Sequence, residues 1–234
     1  MPQGIDIQEM EEQVEGNDGN LEKLQDSITQ AKRSQQSAGK LKAVSWNVNG
    51  LGEKIKRGVT FQYLKRLKPD IVLLQERHML GNSIHALDRG GLKMMAHAGY
   101  TTGSRGVGIM IRGSMAMKIN RTWTDPGGKY VAISGEWQGE ILNLVSVYIP
   151  PRLQNIVLPE ISALLLQMPE GMLLMGGDFN AVIDGEQDRW PQKKLGQDKH
   201  QLAGFIGSLG LLDVWRARNP NVIQYTFYSG AHEV

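Results

Sequence analysis

The stretch YVAISGEWQGEILNLVSVY, Tyr130 to Tyr148, decides the fold class. Two runs rich in β-branched and aromatic residues, Tyr130 to Trp137 and Ile141 to Tyr148, are separated by little more than Gln138-Gly139, and so short a link joins antiparallel strands as a hairpin. A uniformly parallel, doubly wound sheet needs a long crossover between its strands, so the hairpin argues against one. Working outward, further strands are expected at Gly106 to Ile111 and Lys118 to Trp123. Before them lies a β-α-β opening: a strand at Leu41 to Trp46, a helix at Lys54 to Leu67 and a second strand at Asp70 to Gln75, after Pro69. Helical spacing puts Ile55, Val59, Tyr63, Leu64 and Leu67 on one face, expected to be the packed one. Beyond the hairpin, a helix is expected at Leu153 to Met168, a fully buried strand at Met172 to Gly176, a helix at Lys199 to Leu209 and a late strand at Tyr225 to Ser229. Two sheets packed face to face with helices outside accommodate this order.

The 234 residues are 41% hydrophobic, enough for a real core, and no apolar run approaches the roughly 18 residues of a membrane span. Neither a membrane nor a secreted protein is expected, and the absence of cysteine suits an intracellular compartment. It also excludes thiolate zinc sites and cysteine nucleophiles, so a catalytic metal would sit on oxygen or imidazole. Residues 1–40 hold eight acids and four bases, and residues 41–234 sixteen acids and twenty-two bases. The first part reads as a polar acidic leader, largely disordered, with one short helix at Asn20 to Arg33; the second reads as one globular domain whose net +6 admits a polyanionic partner. Lys54, Lys56, Arg57, Lys65, Arg66 and Lys68 form one basic group, and Lys193, Lys194 and Lys199 another that follows the Asp178 cluster and is the better choice for nucleic-acid contact.

Four polar clusters close expected strands: Asn47-Val48-Asn49-Gly50, Gln75-Glu76-Arg77-His78, Tyr148, and Gly177-Asp178-Phe179-Asn180. Taken singly, each reads as a turn, a cap or a solvated charge. Gly-Asp-Phe-Asn has a chance expectation of about 0.002 in a chain of this length, and its co-occurrence with the others at strand ends points to convergence on one site. There Glu76 offers an anionic oxygen and Asn47 a neutral one, a donor set that suits Mg²⁺ completed by water and phosphate. Asp178 can orient or deprotonate an attacking water, Asn180 can hold that water or a phosphate oxygen, and Tyr148 can donate to charge developing in the transition state. Those are the parts for phosphodiester hydrolysis.

On these residues the sequence resembles the endonuclease/exonuclease/phosphatase superfamily, which includes DNase-I-like and apurinic-endonuclease-like enzymes. The likeness rests on Ser45-Trp46-Asn47-Val48-Asn49-Gly50-Leu51, on Pro69 to Glu76, on Val147-Tyr148-Ile149-Pro150 and on Gly177-Asp178-Phe179-Asn180. Ser104-Arg105-Gly106-Val107-Gly108-Ile109 and Tyr225-Thr226-Phe227-Tyr228-Ser229 make it most similar to endonuclease domains of LINE-type retrotransposon polyproteins.

The resemblance implies a four-layer α/β sandwich of two mixed sheets flanked by helices. It implies Mg²⁺-dependent nicking of DNA, with Mn²⁺ able to substitute, that leaves a 3′-hydroxyl for a covalently linked reverse transcriptase, and a nuclear place of action. Carried over by position, Glu76 is the principal metal ligand with Asn47 beside it. Asp178 and Asn180 act on water and phosphate, Tyr148 acts on the phosphate and Thr226 sits at the substrate rim. Beside this carry-over, His78 and, for the basic charge that flanks the site, Lys193 and Lys194 are candidates for substrate binding. Arg77 replaces a common threonine and is expected to crowd the edge of the site with charge. Relatives continue past the Tyr-Thr-Phe strand to a Ser-Asp-His segment with no counterpart before Val234, so the last strands are expected to be missing and activity impaired. A repair enzyme acting at abasic sites or as an exonuclease is the nearest alternative, and an inactive nucleic-acid-binding remnant is the alternative of another class.

Overall fold

The structure is a computed structural model that describes residues 41–190, 198–223, 225 and 227–228. The leader, with its expected helix, and Lys193, Lys194 and Thr226 lie outside the described residues. Ten strands and four α-helices are described: β1 (Ala43–Asn47), α1 (Lys54–Leu67), β2 (Ile71–Gln75), β3 (Leu92–Ala98), β4 (Val107–Arg112), β5 (Lys118–Thr124), β6 (Tyr130–Trp137), β7 (Glu140–Tyr148), α2 (Gln154–Leu165), β8 (Met172–Asp178), β9 (Arg189–Trp190), α3 (Asp198–Ser208), α4 (Val214–Arg218) and β10 (Phe227–Tyr228).

The strands form two four-stranded sheets, ordered β1-β2-β4-β3 and β5-β6-β7-β8, and a short parallel pair, β9 with β10. Each large sheet is mixed. In the first, β1 and β2 are parallel and β4 runs antiparallel to both β2 and β3; in the second, the β6–β7 hairpin is antiparallel and β8 joins β7 in parallel. This is the expected sandwich of two packed mixed sheets with flanking helices.

Period-two alternation assigns each strand two faces. In the first sheet Val44, Trp46, Val72, Leu74, Met94 and Met110 pack with Phe61 and Leu64 of α1. In the second, Ala132, Val145, Val147, Leu173 and Met175 pack with Val157, Ile161 and Leu164 of α2 and Phe205 of α3. The opposite faces meet each other. There Gln75, 1% exposed, donates from Nε2 to Ser146 Oγ at 3.2 Å, and Ser146 Oγ donates to Leu74 O at 3.1 Å. Gly176 permits this approach, because a Cβ there would lie 2.8 Å from Leu73 Cδ1 and 3.1 Å from Ser45 Cβ.

Two sequence expectations are corrected. On α1 the buried residues are Thr60, Phe61 and Leu64, while Ile55, Val59 and Tyr63 are exposed, although Tyr63 still sets its ring edge-on to Trp46 at 5.4 Å. The helix is rotated so that Phe61 and Leu64 fill the hollow above β1 and β2, and the periodic stripe does not specify which side of itself is covered. Strand β8 is an edge strand with Met172 exposed, not a fully buried one, because β7 pairs with only one of its sides. Strand β3 was not anticipated. No helix of the described residues is long and apolar enough to cross a membrane.

Gly177, in register with Val147, gives a sharp stability test. A Cβ at Gly177 would fall 2.1 Å from Val147 O, so Gly177→Ala should destabilise the fold by about 3 kcal/mol in urea unfolding. Gly58→Ala is the control: the site within α1 is open, and the substitution should stabilise by about 0.5–1 kcal/mol.

Candidate active site

Strand register brings the four polar clusters together in pairs. Asn47 closes β1 opposite Gln75, the last residue of β2, and Tyr148 closes β7 opposite Asp178, the last residue of β8. Because both sheets end at the same edge of their interface, the two pairs meet. Asn47 Nδ2 donates to Glu76 Oε1 at 2.9 Å and to Asp178 Oδ2 at 2.8 Å, joining carboxylates from different sheets through one amide.

Each partner is held in turn. Asn47 Oδ1 accepts from the Asn49 backbone N–H at 3.0 Å, and Asp178 Oδ1 accepts from the Asn180 N–H at 2.9 Å. Asn180 Nδ2 donates to Ile149 O at 2.9 Å, so this side chain also ties the Asp178 loop to the end of β7. The second oxygen of Glu76 lies 3.3 Å from His78 Nε2. Tyr148 hydrogen-bonds Glu76, and burial, then the Glu76 charge and this bond, then Asp178, push its hydroxyl up to about 12, with Arg105 opposing. Its O–H therefore stays a donor across the neutral range.

The backbone bends to bring these groups round. Asn49, Glu76, His78, Arg105 and Asn180 all have positive φ, between 43° and 57°, a left-handed conformation that is uncommon outside glycine and clusters at functional sites. The Asn47–Leu51 loop runs beside the end of β2 through Gly50 N–H to Glu76 O at 2.6 Å and Leu51 N–H to Arg77 O at 2.9 Å. Lys56 donates to Asn49 O, and Arg57 Nη1 to Leu51 O at 2.8 Å, so two residues of the expected basic face brace this loop.

Arg77 does not crowd the edge of the site. Its neighbours Glu76 and His78 face the site, and Arg77 itself turns inward and is fully buried. Nε donates to Val107 O and Nη2 to Ala98 O, each at 3.0 Å, and burial lowers its pKa to about 10.

Among the described residues no group of three or more His, Asp or Glu side chains forms a metal cluster. The oxygen donors are Glu76 and, beside it, Asn47. Among the described residues Glu76 and Asp178 have no Lys or Arg ion pair; the only salt-bridge partner of either is His78. Two carboxylates sharing one neutral donor fit a hard cation that keeps most of its water, the preference of Mg²⁺, rather than a closed zinc cage. Asn47 now presents nitrogen to both acids; for it to ligate through oxygen, the amide must turn over and give up its Asn49 contact.

The described residues also hold a cleft of about 320 Å³ lined by Trp123, Tyr130, Glu160 and Gln167 among others, and no side chain of this site lines it. Sequence reasoning gave no role of its own to Arg105, which sits beside the site; its only signal was its place in the Ser104-Arg105-Gly106 segment.

Residues 44–234 match the Endonuclease/Exonuclease/phosphatase family. The chain belongs to that family. One relative of this endonuclease/exonuclease/phosphatase chain is the transposon TX1 uncharacterized 149 kDa protein of Xenopus laevis, 25% identical over 187 residues. The match takes in 77% of the present chain but 14% of that protein, so the chain spans a small part of the relative's length. An AP endonuclease from Archaeoglobus fulgidus is similar in structure, with TM-score 0.62 and 21% identity over 83% of this chain and 80% of that one. The endonuclease domain of TRAS1, a telomere-specific non-LTR retrotransposon, has TM-score 0.54 and 19% identity over 73% of this chain and 71% of that one.

Tyr148 gives the site a pH signature. The unfolded chain releases this proton near pH 10 and the folded chain near 12, so the stability it contributes is complete below pH 10 and is lost as pH rises toward 12. Tyr148→Phe should flatten that alkaline limb in urea unfolding. In a tyrosinate absorbance titration Glu76→Gln should lower the latest-titrating tyrosine, and an unchanged value would remove Glu76 from its surroundings.

Proposed function

We propose that this chain is a Mg²⁺-dependent DNA endonuclease domain of retrotransposon type, which hydrolyses a phosphodiester and leaves a 3′-hydroxyl. The observation that carries the reading is the single Asn47 amide bonded to Glu76 and Asp178. It sets two carboxylates side by side at the mouth of the sheet interface, with a protonated tyrosine adjoining. Family membership supports the same class of chemistry, and the TX1 and TRAS1 likenesses support the transposon context.

Glu76, with Asn47 turned over, would hold the cation, which when bound supplies charge to a phosphate oxygen and lowers the cost of the developing negative charge. The chain's own residues do the rest. Asp178, its Oδ1 held by the Asn180 N–H and its Oδ2 released by the turned Asn47 amide, orients the attacking water and accepts its proton. Tyr148 donates its hydroxyl to the phosphate as charge develops there. Asn180 fixes the plane of Asp178 and edges the water's position. His78, against Glu76, and Thr226, Lys193 and Lys194 are assigned to substrate contact. A linked reverse transcriptase would use the 3′-hydroxyl as primer, a reaction that would be carried out on nuclear DNA.

Nicking of supercoiled plasmid tests the reading. The chain, or a version extended through its genomic reading frame, should nick with Mg²⁺ or Mn²⁺ and not in EDTA, and Glu76→Ala and Asp178→Ala should each lower the rate by about 10²-fold or more. Wild-type rates in either variant, or an inactive extended protein, would overturn it. The AP endonuclease likeness favours a second reading, repair at abasic sites; faster cleavage of an abasic oligonucleotide than of intact duplex would select it.

A further inference from the structure

A phosphodiester that approaches Glu76 and Asp178 meets negative charge, and the loop between β3 and β4 sets a cation beside them. Arg105 lies on that loop in a left-handed conformation, φ 57°. Its carbonyl accepts from the His78 N–H at 3.1 Å, and the Gly106 carbonyl accepts from the Arg77 N–H at 2.9 Å, so the loop is bonded directly to the turn that presents Glu76. The Arg105 guanidinium stacks over the Tyr100 ring, 4.6 Å from its centroid, and Nη1 makes a long 3.3 Å bond to Gly127 O. Tyr100 is 52% exposed. A planar guanidinium backed by an aromatic face, with donors left over, is suited to phosphate oxygens.

The loop is also pinned at its base. The buried Arg77 bonds the carbonyls of Ala98 and Val107, which flank its two ends. Gly128 packs so closely that a Cβ there would lie 3.2 Å from Gly106 N, Gly99 C and Tyr100 Cβ. Arg105 is therefore held in advance of binding, which reduces the entropy a flexible cation would lose.

We propose that Arg105, backed by Tyr100, is a substrate-binding residue that takes a backbone phosphate of the DNA strand next to the one presented to Glu76 and Asp178. The contact reads no base. It rests on the endonuclease reading, and the test separates the two.

Binding of the full chain to a fluorescent duplex oligonucleotide is measured in EDTA over a series of salt concentrations, and nicking is measured in Mg²⁺. Arg105→Ala should weaken binding about tenfold and reduce the slope of log affinity against log salt by about one. In nicking it should raise KM with kcat little changed. Arg105→Lys should restore the salt slope but only part of the affinity, because lysine keeps the charge and lacks the planar fork. Tyr100→Leu should weaken binding less than Arg105→Ala and leave the slope intact. If the wild type binds and nicks while Arg105→Ala keeps its affinity and slope, or loses only kcat, this assignment fails and the endonuclease reading stands. A wild type that neither binds nor nicks DNA overturns both.

Discussion

Two carboxylates from two sheets share one amide, and the rest of the site depends on that arrangement. Neighbouring like charges repel, and a donor placed between Glu76 and Asp178 offsets that repulsion. In the structure that donor is Asn47 Nδ2, with a bond of 2.8–2.9 Å to each. The amide is neutral, so it holds the two acids together without cancelling their charge. The result is an organised anionic pair at the end of the sandwich, ready for a cation and unattractive to a phosphate without one.

The sandwich exists in the form needed to make that pair. Parallel pairing of β1 with β2 and of β7 with β8 ends all four strands at one edge, and the in-register partners Asn47 with Gln75 and Tyr148 with Asp178 set the depth of each group. The two sheets then close on small residues. Gly176 admits Leu73 and Ser45 across the interface, and within the second sheet Gly177 admits the carbonyl of its β7 partner Val147, so Asp178 at the next position reaches Asn47. The left-handed residues just past the strands turn the side chains inward. The glycines and the unfavourable backbone angles are local costs of this geometry, met by the buried Gln75–Ser146 network and the two apolar layers.

Much of this was legible in the sequence, and the limits have physical causes. The hairpin and the β-α-β opening were readable because β-branched residues, short turns and proline punctuate them. The convergence of Asn47, Glu76, Tyr148 and Asp178 was readable because clusters that singly read as turns or caps recur at strand ends together with the improbable Gly-Asp-Phe-Asn string. Strand β3 escaped notice because its methionines, alanines and His97 are weak strand formers and a register shift between Met94 and Ala96 breaks the alternation. The buried side of α1 was misjudged because Ile55, Val59 and Tyr63 form a stripe with the right period on the wrong side. Arg77 was read as an edge charge because strand-end position does not reveal which way a side chain turns. Arg105 was invisible as a functional group for a related reason: only the backbone bonds to His78 and Arg77 bring its loop beside Glu76.

The proposed chemistry depends on Glu76 and its neighbours forming a divalent-cation site. Electron paramagnetic resonance of Mn²⁺ added to the chain without DNA tests for that site without depending on turnover. A single Mn²⁺ should bind and be displaced by Mg²⁺, with binding lost in Glu76→Gln and retained, more weakly, in Asp178→Asn. Equal binding by the Glu76→Gln chain, or no binding by the wild type, would contradict it.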